Sequence, residues 1–437
     1  MGETPGSPTV SMKLQRIAQQ AKHYPAMVFN NVFHLIDCEF LREAYHQTHK
    51  SSAPGMDQVT AKQYAENLDE NLRELHERLR ANRYVAPPVE RVWIEKEDGK
   101  KRPRGKPCFE DKIVQRAVVM SLEAIFEPDF QAFSHGFRKG HSQHQALHER
   151  REQCRKLTIT WSVEAEVSGC FDTLDWGHLR ACMQQRVKEG GIVRLIGTWL
   201  HAGGLEAGAL RSPDKGTPQG GVVSPILANV FLHHVLDEWF VKEVQPRMQG
   251  RCFVTRFADD FIIGFALEAD AHRVMDVLPK RFHRFGLTIH PEKTVLLAFQ
   301  RPPSRAPSAR GKGTFDFLGF THYWAKTRRG YWVIKRKTVG KRLRRFMKGI
   351  WAWCRENRHE PLKEQYQTLC LKLRGYYQYY GIRGNFKMLE VAFEHTERAW
   401  QYWLSRRSHK GHINWQKFVE FVHRKLPLPK PRIIHHI

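Results

Sequence analysis

The chain has 437 residues, of which 71 are Lys or Arg and 45 are Asp or Glu, giving a formal net charge of +26. That length exceeds one ordinary core and implies two or three packed units. Such a cationic excess favours a polyanionic partner. Long nucleic acid comes first, because each phosphate neutralised by Lys or Arg releases counterions, and an anionic membrane surface second. No run of about 18 apolar residues is present to span a membrane, and Met1 to Gly6 reads as neither signal peptide nor myristoylation site, so a cytosolic protein is expected. The 8 cysteines form no Cys-x-x-Cys and are expected to be reduced packing residues rather than a zinc knuckle or a disulfide framework.

In chain order, residues up to about 50 read as helical, with Phe29, Val32, Phe33 and Ile36 on one face. Ser51 to Gly55 breaks that pattern, and a second amphipathic helix runs from Thr60 through Tyr64, Leu68, Leu72 and Leu75. Val89 to Glu95 is strand-like and leads into a basic hairpin, Lys96 to Lys100. Arg102 to Pro107 is too rich in Pro and Gly for an element interior and basic enough to contact phosphate, or else part of a solvated charged hairpin. Helical spacing returns over Glu110 to Phe126 and near 142–155, with the Gly-bracketed basic loop Ser134 to Gly140 between them. Thr158 to Val167 reads as a strand that puts Glu166 at its end, on the face of Glu164 and Ser162, within reach of a metal. Asp175 is read as the N-cap of the next helix.

Gly216 to Gly221 is a rigid glycine-rich turn opening a helix from Ser224 to Trp239, whose N-terminal N–H groups suit a phosphate or nucleotide backbone; without a following Gly-Lys-Ser/Thr it is not a P-loop. Cys252 to Phe257 and Phe261 to Phe265 read as short buried strands, so Asp259 and Asp260 fall at a hairpin tip with neither Asn-Gly nor Asp-Gly to make the turn. Paired acids there are natural ligands for hard divalent cations, or else solvated turn residues. A helix near 268–285 and a strand pair around Phe315 to Phe320 close this part. Strands and helices mix without a βαβ rhythm, which favours α+β. Beyond Thr327 the composition turns basic, with Lys335, Arg336, Lys337, Lys341, Arg342, Arg344, Arg345 and Lys348, and an all-helical domain is expected past about 325. Tyr376, Tyr377, Tyr379 and Tyr380 occupy two adjacent helix faces; one could stack on bases, but core packing is the expected role of all four.

Taken together, the ordered blocks Ala53 to Thr60, Lys96 to Pro107, Glu110 to Gln115, Ser134 to Gly140, Val163 to Asp175, Gly216 to Pro225, Phe257 to Asp260, Pro291 to Thr294, Phe317 to Gly319 and Leu373 to Gly381 resemble a group II intron-encoded reverse transcriptase and maturase. The resemblance implies an α+β right-hand polymerase: a helical, RNA-binding N-terminal extension over 1–88, fingers and palm with antiparallel sheet over 89–325, and a helical thumb and maturase domain over 326–437. Neither the endonuclease domain of some relatives nor an RNase H domain is expected.

By the same resemblance, Asp259 and Asp260 match the paired palm aspartates, and Glu166 stands where the family has its third catalytic aspartate. Lys96 and Arg102 match residues that hold the incoming triphosphate, Phe171 the aromatic gate against a ribose 2′-OH, Gln219 and Gly220 the turn along template and nucleotide, and Lys293 a lysine near the leaving pyrophosphate. The sequence departs from the pattern at Glu166, at Arg104 and Lys106 in place of apolar residues, at Cys170 in place of an aromatic, and at Phe257 in place of tyrosine.

The implied activity is RNA-directed DNA synthesis with two Mg²⁺ ions, for which Mn²⁺ can substitute. Asp259 and Glu166 would bridge the ions with Asp260 in support. The implied partners are intron RNA or another RNA template, a DNA primer or target, and dNTPs, at the nucleoid of a bacterial cytoplasm and not at a membrane; oligomeric state stays open. Lys335, Arg342, Arg344 and Arg345 are expected to supply RNA affinity. The extra methylene of Glu166 pushes its carboxylate outward, so Glu166→Asp is expected to raise the rate where the neighbouring backbone has not adapted to glutamate, and to lower it where it has. Two other readings remain: an RNA-binding maturase with a weakened palm, and a polymerase turned to defence, spacer acquisition or DNA repair.

Overall fold

The computed structural model describes residues 9–95, 101–202, 204–206, 209–211, 216, 220–303, 310–408 and 412–437. The chain divides into two compact units, Met1–Ser142 with Val163–Leu296, and Gln143–Ser162 with Leu297–Ile437. Neither unit is continuous in sequence, because the first returns after a 20-residue excursion into the second.

The first unit opens with α1 (Val10–His23) and α2 (Cys38–Gln47), the latter capped by Asp37, whose side chain accepts from the Phe40 N–H at 2.9 Å. Between them, the stretch expected to be helical is mostly irregular. Phe29, Val32 and Ile36 are buried as expected, but only Phe33–Leu35 forms a 3₁₀ turn, and Phe29 instead makes a parallel bridge to Val187. Their apolar spacing reports burial without helix. The helix beginning at Thr60 is two helices, α3 (Ala61–Glu66) and α4 (Leu68–Arg80), broken at Asn67; a Thr60–Gln63 capping box starts the first.

β1 (Val89–Glu95) and β2 (Lys101–Lys106) form an antiparallel hairpin whose tip, 96–100, lies outside the described residues. The strand β2 corrects the loop expected from its Pro and Gly content. It is the edge of the sheet β2-β1-β4-β5, the position in a sheet where Pro is tolerated. After it in sequence α5 (Phe109–Phe126) is buried nearly all round, and α6 (Gln143–Lys156) belongs to the second unit. Next come β3 (Trp161–Glu166), the short α7 (Cys170–Thr173), α8 (Trp176–Gln184), α9 (Gly190–His201), and strands β4 (Gly204–Glu206) and β5 (Ala209–Arg211). Asp175 does cap α8, accepting from the His178 N–H at 2.8 Å.

The helix expected from Ser224 to Trp239 is α-helical only as far as Leu232 (α10, Ser224–Leu232) and then widens into π turns at His233–Asp237 and Phe240–Val244. β6 (Cys252–Phe257), β7 (Asp260–Phe265), α11 (Glu268–His283) and β8 (Val295–Ala298) complete a second sheet in the order β6-β7-β3-β8.

In the second unit β9 (Arg310–Phe317), β10 (Phe320–Lys326) and β11 (Trp332–Thr338) form an antiparallel sheet in the order β11-β10-β9. The stretch beyond 325, expected to be all-helical, thus begins with a strand, whose alternating burial carries Trp332, Ile334, Arg336 and Thr338 inward. Helices α12 (Gly340–Glu356), α13 (Leu362–Tyr380), α14 (Phe386–Leu404) and the short α15 (Trp415–Phe418) follow and share one core around Leu369, Leu373, Leu389 and Trp400. The chain is therefore α+β, with antiparallel pairing of β1 with β2, β6 with β7, and β10 with β9 and β11, and a short parallel pairing of β1 with β4 among the described residues.

Candidate active site

Phe257 pairs with Asp260 across β6 and β7, so Ala258 and Asp259 form a two-residue turn. Ala258 has φ +57°, a left-handed conformation that costs a residue with a Cβ about 1–2 kcal/mol. The turn keeps it because Arg256 clamps it from below. The Arg256 guanidinium donates to the Ala258 carbonyl and to Asn229 Oδ1, each at 3.1 Å, and grips Asp237 bidentately at 2.8 and 2.5 Å. Both charged side chains are fully buried. Asn229 donates in turn to the Gly136 carbonyl at 2.7 Å, and a Cβ on Gly136 would lie 2.2 Å from the Ala258 nitrogen. Backbone bonds from His135 N–H to the Arg256 carbonyl and from Arg256 N–H to the Phe133 carbonyl, both 2.9 Å, close the second side. Arg256, Asp237 and Asn229 were not singled out from sequence; an arginine inside an apolar strand was the available signal.

Glu166 ends β3, the neighbour of β7, and the Val167 N–H donates to the Asp259 carbonyl at 3.3 Å. Glu166, Asp259 and Asp260 are each half-buried. Lys293, on the 3₁₀ turn Pro291–Lys293, reaches both Glu166 oxygens at 2.8 and 2.7 Å, and the His290 N–H donates to the Glu166 carbonyl at 2.9 Å. Burial pushes the Cys170 thiol well above its usual range, and the Asp259 and Asp172 carboxylates add to the push. The donor set, carboxylate oxygens at the ends of adjacent strands, suits a hard, oxygen-seeking cation such as Mg²⁺.

The remaining candidates flank this centre unevenly. Phe171 sits in α7, half-buried, with its ring edge-on to Phe137 at 6.2 Å. Gly216 is held by its N–H to the Leu174 carbonyl at 2.8 Å and by Trp176 Nε1 donating to its carbonyl at 2.6 Å. Gly220 has φ +110°, and a Cβ there would lie 2.3 Å from the Gly105 carbonyl oxygen, so the glycine-rich loop meets α7 at one end and β2 at the other. Arg102 stands in β2 opposite Ile94, whereas Lys96 and Gln219 lie outside the described residues. The loop's exit is fixed by Gln115, which accepts from the Val223 N–H at 3.1 Å and donates to the buried Asp111 at 2.8 Å.

In the second unit Arg342, Arg344 and Arg345 are exposed on the first turns of α12, and Lys335 is half-buried on β11. Arg336, counted with that cationic run, faces inward and donates to the Leu147 and Ile437 carbonyls. The four tyrosines at the C-terminal end of α13 are engaged within the protein. Tyr376 and Tyr377 are buried, Tyr379 stacks on Phe320 at 5.9 Å, and Tyr380 lies 5.3 Å from the same ring.

Residues 94–322 match the family described as "Reverse transcriptase (RNA-dependent DNA polymerase)". The chain is 33% identical over 286 residues to protein YkfC of Escherichia coli K12, covering 58% of this chain and 75% of that protein. It is 34% identical over 240 residues to the group II intron-encoded protein LtrA of Lactococcus lactis subsp. cremoris, covering 54% of this chain but 39% of LtrA. It is also 28% identical over 122 residues to nuclear intron maturase 1, mitochondrial, of Arabidopsis thaliana, covering 26% of this chain and 17% of that protein. No helix among the described residues is long and apolar enough to cross a membrane.

Proposed function

The chain belongs to the reverse transcriptase (RNA-dependent DNA polymerase) family, among its group II intron-encoded members, and from that premise we propose that it copies RNA into DNA at the Asp259 turn and binds intron RNA to assist its splicing and mobility. The clamped Asp259 turn beside the end of β3 carries the proposal, because in-line displacement at phosphorus needs carboxylates from separate strands held in fixed positions. Asp259, Asp260 and Glu166 are the side chains that would hold two Mg²⁺ ions. When bound, the ions neutralise charge on the attacking and leaving oxygens.

Every other role falls to the chain itself. Lys293, whose side chain is 53% exposed, can swing from Glu166 to the departing pyrophosphate, where it donates a proton or screens charge. Lys96 and Arg102 would grip the triphosphate, Phe171 would exclude a 2′-OH, and Gln219 and Gly220 would lie along the template. In this reading β1, β2 and α5 are fingers, the sheet β6-β7-β3-β8 is the palm, and residues 326–437 are thumb and maturase surface. Residues 1–88 and the exposed arginines of α12 would hold RNA.

A second reading, an RNA-binding maturase with a weakened palm, draws on one observation: both Glu166 oxygens are already engaged by Lys293. Primer extension by the full chain on an RNA template, with dNTPs and Mg²⁺, separates the two. Extension abolished by EDTA supports the polymerase; tight intron-RNA binding without extension, in Mg²⁺ or Mn²⁺, supports the second reading. With six to ten phosphate contacts, affinity for duplex DNA would fall by about 10³–10⁵ between 50 and 200 mM salt, with a gentler slope for single strands.

A further inference from the structure

Behind the Asp259 turn, where α10 gives way to the π turn His233–Asp237, lies a cluster of metal-ligating side chains outside the proposed polymerase centre. The Glu238 N–H closes that turn on the His233 carbonyl, which brings residues five apart onto one face. Single π turns within α-helices recur at functional sites. Ring nitrogens of His233 and His234 and a carboxylate oxygen of Glu238 all lie within 4.8 Å of one another. They line a cavity of about 500 Å³ shared with Ala21, Pro25, Asp129 and Arg186.

Two features of the cluster have no account in packing alone. His233 is 4% exposed, yet its Nδ1 has no hydrogen-bond partner, with Asp237 Oδ2 nearest among acids at 3.9 Å. His234 Nδ1 meets Glu238 Oε2 at 2.6 Å, but its Nε2 is also buried and unpartnered. A buried polar atom left unsatisfied costs about 1–3 kcal/mol.

We propose that His233, His234 and Glu238 bind one first-row transition cation of the Zn²⁺ class, at a site separate from the magnesium carboxylates. Imidazole ligands select such a cation over Mg²⁺. Three protein ligands leave the fourth tetrahedral position to a water from the cavity. Bonds of about 2.0–2.2 Å set ligand atoms roughly 3.3–3.5 Å apart, a contraction within reach of side-chain rotation. The cation takes the place of the His234–Glu238 hydrogen bond, and the neutral imidazole keeps its proton on the ring nitrogen that does not ligate. Lys242, which contacts Glu238 and is 69% exposed, moves into water. Because Asp237 on the same turn grips Arg256, the cation also steadies the support of the Asp259 turn.

The test uses the full chain, stripped with chelator and titrated with Zn²⁺ in excess Mg²⁺ against a chromophoric competitor, then with Co²⁺ for its visible absorption. One equivalent of Zn²⁺ and a tetrahedral Co²⁺ spectrum are expected. Loss of a direct ligand in His234→Asn or in Glu238→Gln should weaken binding by more than about 100-fold, beyond the usual effect of an outer-shell change. Circular dichroism checks that each variant is folded, and His435→Ala with His436→Ala, which removes two other histidines, should leave affinity unchanged. No stoichiometric uptake by the wild type, wild-type affinity in the folded His234 and Glu238 variants, or loss confined to the His435/His436 variant would each overturn the site. None of these readouts depends on polymerase activity.

Discussion

Asp237→Asn isolates the support beneath the Asp259 turn. The substitution keeps shape but removes the counter-charge from a guanidinium with no exposed surface. Breaking one side of a buried ion pair costs about 3–5 kcal/mol, since the partner charge is left uncompensated. Arg256 keeps its bonds to Asn229 and the Ala258 carbonyl, so the low end is expected, about 3 kcal/mol. At roughly 2–3 °C per kcal/mol for a unit of this size, Tm should fall by about 6–9 °C. The effect on rate is separate. A loosened clamp lets Ala258 leave its left-handed conformation, and a shift of about 1 Å in Asp259 costs on the order of 100-fold. Thermal unfolding followed by near-ultraviolet circular dichroism, with primer extension well below the transition, reads both. Arg256→Lys, which keeps the charge but loses the bidentate fork, should also slow extension. A variant that melts within about 1 °C of wild type and extends at the same rate would refute the reasoning, because the pair is assigned at least several times that effect.

Three further outcomes follow from particular contacts. Burial pushes the Asp111 carboxyl up to about 6 against hydrogen bonds from Tyr84, Trp199 and Gln115. Its folded value lies above the ordinary one of about 3.9, so its contribution to stability is full below that value and is lost as pH rises through about 6. Wild type should therefore lose urea resistance relative to Asp111→Asn between about pH 4 and 6, and a flat difference would contradict this. Gly220→Ala should cut extension at least about tenfold through a raised dNTP KM with the fold intact, since its Cβ would strike the Gly105 carbonyl at 2.3 Å; an unchanged KM would count against the loop's role. Glu166→Asp is expected to raise single-nucleotide incorporation by up to about 100-fold while moving Tm little, because the Lys293 pair it breaks is 53% and 32% exposed and worth about 0–1 kcal/mol. A variant slower than wild type would mean that the site is built around glutamate.

The β6–β7 hairpin was legible because two buried apolar runs flank a charged pair, and α5 and the Asp175 cap were legible because their signals are local. Through-space partners were not. Asp237 and Arg256 are 19 residues apart, and nothing in the intervening sequence ties them. Arg336 looked like one more surface cation until strand alternation in β11 turned it inward. Composition misled in β2, where Pro and Gly fit an edge strand, and in Phe29 to Ile36, where apolar residues are buried without forming a helix. The apolar spacing of α10 could not reveal that the helix widens at His233, since the hydrophobic positions continue through Leu236. The excursion of α6 into the second unit leaves no mark in composition.

The most direct test of the polymerase assignment is single-nucleotide incorporation on an RNA template by the full chain and by Asp259→Asn, with RNA affinity measured in parallel. The substitution removes a carboxylate charge at a turn whose backbone is held by Arg256 and Val167, so fold and RNA binding should persist. The account predicts that incorporation is abolished in the variant while affinity for RNA stays within about twofold of wild type, a change below roughly 0.4 kcal/mol. Undiminished incorporation by Asp259→Asn would contradict it.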